Sequence, residues 1–206
     1  MKKMMEQSLL TLTQIKMNTL LDIDTEIDQL IEQAEAFCEK EGIEIKLVYK
    51  LSNKSLEIIS ERSKTLSTLY YVSVEMLKKR AENGCFILKK DDEIIGHIFV
   101  HEHQVKEHFV YERSSLWVDS TYRNCNLGLL LMARMTEFFS ETFLISIAQT
   151  PKVHQYNELL GMTHVTLSKM SAQLVQELEK LGKLRDELNY RYYVNACFAS
   201  EIGQLK

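Results

Sequence analysis

The run from Leu116 to Met132 limits what this chain can fold into more than any other. An apolar, strand-like stretch, Leu116-Trp117-Val118, stops at Asp119-Ser120. A short polar loop follows, and an apolar helical pattern starts at Leu127. Strand, loop and helix N-terminus in that order can hold an anion, because loop and first-turn N–H groups lack helical partners and can point at phosphate oxygens. Gly128 permits close backbone approach and Asn126 tolerates the left-handed conformation better than most residues. Arg123 adds a planar donor fork with a fixed charge.

Composition narrows the class around this segment. A chain of 206 residues, 45% hydrophobic and 26% charged, suits one soluble domain with a real core and room for an appendage. One Pro and seven Gly argue for long regular elements and short loops. A net charge of −4 with no basic stripe argues against nucleic acid as a partner. No apolar run reaches the roughly 18 residues a membrane span needs. The start, Met1-Lys2-Lys3-Met4-Met5-Glu6, lacks the apolar core of a signal peptide. Cys38, Cys85, Cys125 and Cys197 form no C-x-x-C pair, which fits reduced thiols in a cytoplasm.

Periodicity sets the order of elements. Residues 5–40 are helical in pattern, with a break expected near Asp22–Glu26 and a stop at Glu41-Gly42. Residues 43–51 alternate as a first strand, and 52–81 read as a helix ending at Asn83-Gly84. Cys85 to Val100 reads as a hairpin around Lys90-Asp91-Asp92, and His108 to Val118 as a long strand. A helix over 127–141, a buried strand over 142–148, a helix over 152–160 and a strand over 162–167 follow. Residues 168–189 are expected as one amphipathic helix and 190–198 as the last strand.

The loop Arg123-Asn124-Cys125-Asn126-Leu127-Gly128 resembles the pyrophosphate loop of the GNAT superfamily of N-acetyltransferases, "R/Q-x-x-G-x-G/A", with Asn126 in place of the first Gly. Ile94-Ile95-Gly96 is similar to the family's hairpin, and Val153 to Met162 to its late helix, whose closing Gly is Gly161 here. The resemblance covers about residues 43–198. It implies an α/β (α+β) fold with a mixed, mostly antiparallel sheet flanked by helices. Residues 1–42 are then an N-terminal helical extension and 43–206 the transferase domain, with 168–189 inserted before the last strand.

The resemblance also implies a chemistry, acetyl transfer from acetyl-CoA to a primary amine. Acetyl-CoA is expected against Leu116, Trp117, Val118, Arg123, Asn124, Cys125, Asn126, Leu127, Gly128 and Leu129. A backbone N–H near Leu116-Trp117-Val118 would polarise the thioester carbonyl. Glu112 is the best-placed carboxylate for a base, with Glu107 and Glu102 behind it, and a solvated strand residue is the competing reading. The family's Tyr acid falls at Asn157 here; adjacent Tyr156 is about 100° away around the helix. Asn157 is then a candidate for the pantetheine arm, and Tyr156 for the acid after a register shift.

Other groups carry weaker signals. His97, His101 and His103 share one strand face and offer imidazoles for zinc, but no carboxylate or Cys is fixed beside them by spacing, so no metal is expected. Cys125 in the loop reads as incidental more readily than as a nucleophile. Met170, Leu174, Leu178, Leu181, Leu184 and Leu188 form a stripe that meets either the N-terminal helices or a second copy, with a homodimer favoured. Two alternatives stay open: a GNAT-like domain without catalysis serving as a binding or scaffold module, and a transferase of another acyl group. The acceptor, small molecule or protein, is unreadable.

Overall fold

The computed structural model describes residues 25–65 and 71–205. A seven-stranded sheet organises them, in the order β1-β2-β3-β4-β5-β7-β6. The strands are β1 (Ile43–Val48), β2 (Cys85–Lys90), β3 (Glu93–Val105), β4 (His108–Val118), β5 (Phe143–Ala148), β6 (Met162–Val165) and β7 (Arg191–Asn195). Only β4 and β5 run parallel; every other pairing is antiparallel. The helices are α1 (residues 25–41), α2 (Asn53–Thr65), α3 (Val74–Glu82), α4 (Leu127–Phe138), α5 (Pro151–Leu159) and α6 (Ala172–Lys180).

Local chemistry accounts for the boundaries. Gly42, at φ +66, ends α1 in the left-handed conformation that favours glycine. Ser73, Thr150 and Ser171 cap α3, α5 and α6 by accepting from the N–H groups of Met76, Val153 and Leu174. Pro151 follows its cap at the first turn, where its missing N–H costs nothing. Gly96 has a packing reason: a Cβ there would meet Leu88 Cδ1 at 2.8 Å and the Trp117 carbonyl at 3.3 Å. Gly96 pairs with Leu88 there, next to the register shift between Leu88 and Lys89.

Side-chain alternation sorts the helices onto two faces. Ile98, Val100 and Leu116 pack with α1, α4 and α5 through Ala34, Leu130, Met135 and Tyr156. Phe99 and Ile87 face α2 and α3 through Leu56, Ile59 and Leu77. Val105, Val110 and Ile145 face α6 through Leu174 and Leu178, with Ile202 and Leu205 closing that end.

Three expectations change. The helix over 52–81 is two helices, α2 and α3, with Ser73 starting the second. The long helix over 168–189 is the nine-residue α6, and Gly182 at φ +64 turns the chain immediately after it. Its stripe is covered: Met170, Leu174 and Leu178 are 6%, 0% and 0% exposed against the chain's own sheet, while Leu188 is 96% exposed. Met170, Leu174 and Leu178 are therefore committed to the chain's own core, while Leu181, at 37% exposed, and Leu188 stay at the surface, so the continuous stripe behind the expected homodimer is not formed. The break expected near Asp22 lies outside the described residues. None of the described helices is long and apolar enough to cross a membrane.

Leu178→Ala should lower the free energy of unfolding by about 2–5 kcal/mol, the cost of a buried cavity. Leu188→Ala should change it by less than about 0.5 kcal/mol. Urea denaturation of both variants checks this, and equal effects would return the stripe to the surface.

Candidate active site

The site begins where two parallel strands part. The β4–β5 ladder pairs Val110 with Phe143 and ends at Arg113 with Ser146. Beyond it β4 continues to Val118 and β5 to Ala148 without pairing. A cleft of about 630 Å³ opens there, lined by Ser114, Ser115 and Leu116 on one side and Ile147, Ala148 and Gln149 on the other. A bulge re-aims β4 at this point: the register against β3 shifts between His97 and Phe99, and Ser115 takes φ +54. His97 Nδ1 donates to the Ser115 carbonyl at 2.8 Å and holds the bulge. Its ring stacks on Trp117 at 5.5 Å, and the Arg62 guanidinium covers the far face of that indole at 3.9 Å.

Glu112 is the carboxylate at the floor of the cleft. It is buried, and its Oε2 accepts from His103 Nε2 at 2.7 Å and from Lys183 Nζ. Burial alone would raise its pKa. The Lys183 ammonium and the His103 hydrogen bond outweigh that and hold it well below the usual carboxylate range. At neutral pH it therefore attracts protons already on other groups more than it takes them up. Burial lowers the Lys183 pKa, against the pull of Glu112. His101 stands beside His103 with ring centroids 4.5 Å apart, and burial pushes it down to about 3.

Spacing alone did not tie a carboxylate to the histidines; the fold does. Ligand atoms of His101, His103 and Glu112 lie within 4.8 Å of one another, a distance a divalent ion accepts. The Lys183 ammonium already sits on the shared carboxylate, so a cation would have to displace it.

The sequence points to Glu112 but not to its partners His103 and Lys183. One signal was present. A turn at Lys106-Glu107 pairs Val105 with His108, and counting back puts His101 opposite Glu112. Nothing in the spacing announces Lys183, 71 residues away.

On the opposite side of β4 stands the anion loop. Asn124 and Asn126 take φ +66 and +55, so Asn126 adopts in place of glycine the left-handed conformation expected of it. Asn126 occupies the cap position of α4 without a side-chain cap bond, and no acidic residue occupies the first turn. The N–H groups at Leu127, Gly128 and Leu129 are thus left for an anion, although the side chains of Leu127 and Leu129 are buried. A Cβ on Gly128 would meet only Tyr156 Cε2 at an ordinary 3.5 Å. The folded chain itself does not demand glycine there. Arg123 is exposed, with Nε 3.5 Å from the Val118 carbonyl, and Cys125 is half-buried.

The two late-helix candidates stand elsewhere. Asn157 is fully buried, and its Oδ1 accepts from Arg113 Nη2. That bond commits its carbonyl oxygen to the protein rather than to a pantetheine arm. Tyr156 packs in the main core beside Gly128, and burial raises its pKa. Neither is among the residues lining the cleft.

His97 gives the site a pH dependence. Burial pushes its pKa down to about 3, with Arg62 adding to the effect. An unfolded chain returns it to about 6.5, so its share of stability is complete above that value and is lost as pH falls toward 3. The folded protein should lose on the order of a few kcal/mol across that window. In His97→Gln the decline between pH 7 and pH 4 should be shallower, as read from urea midpoints at each pH. An identical slope would remove His97 as a cause.

Comparison with known proteins follows this geometry. No curated protein matches the sequence. Among solved structures, the chain is similar to N-acetylglutamate synthase from Neisseria gonorrhoeae, complexed with coenzyme A and N-acetyl-glutamate. The identity is 13% and the TM-score 0.56, over 74% of this chain and 35% of that one. This chain thus spans about a third of that enzyme. An acetyltransferase from Streptococcus agalactiae is 15% identical with a TM-score of 0.53, over 75% of this chain and 98% of that one. A Mycobacterium tuberculosis protein in complex with CoA is 11% identical with a TM-score of 0.57, over 73% and 98%. At such identities the likeness is one of fold. The model of the acetyltransferase (GNAT) family matches residues 45–162. That span runs from β1 through the parted strands and the anion loop to the end of α5, more than half of the sequence, and the chain belongs to the GNAT family of acetyltransferases.

Proposed function

We propose that the protein transfers an acetyl group from acetyl-CoA to a primary amine. The observation that carries this reading is the cleft at the parting of β4 and β5, with Glu112 in its lining and β4 leading on into the candidate anion loop. Arg123 and the main chain from Asn124 to Leu129 would hold the pyrophosphate. The thioester would lie along Leu116-Trp117-Val118, past the end of the ladder, where an N–H facing β5 can stabilise its oxyanion. The gonococcal and mycobacterial structures, bound to coenzyme A, support a CoA donor.

The chemistry needs an amine nitrogen with a free lone pair. That pair attacks the thioester carbonyl carbon, the C–N bond forms, and the C–S bond breaks with its electrons left on sulfur. The proton lost by nitrogen ends on the departing sulfur, so the products are the amide and the CoA thiol. Glu112 is held too acidic to act as a lone base at neutral pH. Its role is to draw the amine in and hold its nitrogen toward the thioester carbon. With Asn157 bound to Arg113 and Tyr156 in the core, neither late-helix residue stands at the cleft to protonate the thiolate. That same arrangement favours a second reading, a domain that binds acyl-CoA but does not turn it over.

Calorimetry should show acetyl-CoA binding to the wild type, and Gly128→Glu should weaken it by about ten-fold or more by placing a like charge among the phosphates. Mass spectrometry after incubation with acetyl-CoA and an amine panel should find an adduct of one acetyl group. Binding without any product would support the second reading, and absence of binding would remove both.

Glu112→Gln should lower kcat by about a hundred-fold while acetyl-CoA affinity stays near normal. An unchanged kcat would assign Glu112 to structure alone.

A further inference from the structure

Two histidines and a carboxylate meet on one side of the sheet. Along β3, Phe99, His101, His103 and Val105 share a face. Phe99 packs toward α2 and α3 and Val105 toward α6, so the two imidazoles stand between those packings. The antiparallel register sets Glu112 of β4 directly opposite His101, with Val110 opposite His103. Side chains directly opposite or diagonal on such a pair reach one another. One ligand atom from each of His101, His103 and Glu112 lies within 4.8 Å of the other two. His103 Nε2 is 2.7 Å from Glu112 Oε2, and the two imidazole rings are tilted at 43° with centroids 4.5 Å apart.

The His103 side chain is wholly inaccessible, and Glu112 is 6% exposed. The Nδ1 atoms of His101 and of His103 are both buried, and neither has a hydrogen-bond partner among the described residues. Buried polar atoms are normally satisfied, so two orphan imidazole nitrogens beside one carboxylate call for a ligand that accepts lone pairs. What a cation must break is the bond of Lys183 Nζ to Glu112 Oε2. Lys183 follows Gly182 in the irregular segment after α6, and it lines the open cleft. Its flexible four-carbon stem lets the ammonium withdraw into that cleft.

We propose that His101, His103 and Glu112 are a site for a divalent transition-metal ion of the zinc type, which enters from the cleft in place of the Lys183 ammonium. Two imidazoles and a carboxylate are a recurrent zinc set that keeps a fourth position for water. Mixed nitrogen and oxygen ligands select such an ion over Mg²⁺ and Ca²⁺, which prefer oxygen alone. The carboxylate exchanges a singly charged partner for a doubly charged one. Ligation through His103 Nε2 moves that ring's proton to Nδ1, where it breaks no existing bond. Ion binding here does not depend on acyl transfer.

Titration of the full chain, freed of metal, with Zn²⁺ against a chromophoric chelator should show a saturable site. Co²⁺ in its place should give the intense visible bands of a four-coordinate ion. His101→Ala and Glu112→Gln should each weaken Zn²⁺ binding at least about ten-fold. His101 is only half-buried, so its variant guards against a folding defect in the other. Lys183→Met should tighten binding by about ten-fold or more, since a competing positive charge is gone. Zn²⁺ should raise the melting temperature of the wild type and not of His101→Ala, and Mg²⁺ should raise neither. Binding that survives His101→Ala undiminished assigns the ion to thiols such as the exposed Cys197 and overturns the site. Binding that weakens in Lys183→Met overturns the exchange with the ammonium. No saturable Zn²⁺ binding by the wild type overturns both.

Discussion

The candidate site depends on where β4 and β5 stop pairing. Parallel strands share evenly spaced, slanted hydrogen bonds, and a parted pair leaves main-chain groups on both inner edges. The ladder ends at Arg113 with Ser146, and the residues just past that point line the cleft. The bulge at Ser115 keeps the strands apart by turning β4 against β3, and His97 holds the bulge from behind. A histidine that looks like a candidate ligand in the sequence is, in the fold, part of the frame.

Burial explains how the same few residues come to be charged and unusual. A carboxylate at the bottom of a cleft would ordinarily become neutral. Glu112 stays ionised because Lys183 and His103 reach its Oε2 from a different part of the chain. Removing Lys183 would leave a buried carboxylate without its counter-charge, which costs more than the pair contributes when intact. The cluster is thus a cooperative unit, and substitutions within it should not add independently.

The sequence was legible where structure is local. The hairpin strands, the bounds of β4, the stop at Gly42 and the strand–loop–helix run at Leu116 to Leu127 all follow from period, caps and turn residues. It misled where period was a poor guide to length. Leucines from Leu174 to Leu188 keep helical spacing, yet Gly182 turns the chain after nine helical residues and the stripe splits between core and solvent. It was silent where distance in the chain is large. Glu112 could be named from its place on a strand. Lys183 belongs to an irregular segment with no motif. The late helix shows a further limit: its Tyr-to-Asn change reads as a lost acid, but not as a new partner for Arg113.

The position of β7 has a consequence for how the site comes into being. β7 lies between β5 and β6, so β6 finds a neighbour in the sheet only when β7 docks. Lys183 sits on the segment that leads into β7. During synthesis Glu112 and the residues of the bulge and the loop emerge well before Lys183, whose ammonium helps to keep Glu112 ionised. A half-made chain would carry the donor half of the cleft and a carboxylate with one of its two partners missing. Long-range closures of this kind are slow relative to hairpins and helices. The order of assembly therefore places completion of the charge cluster last, and makes the finished cleft a report that the whole sheet has closed.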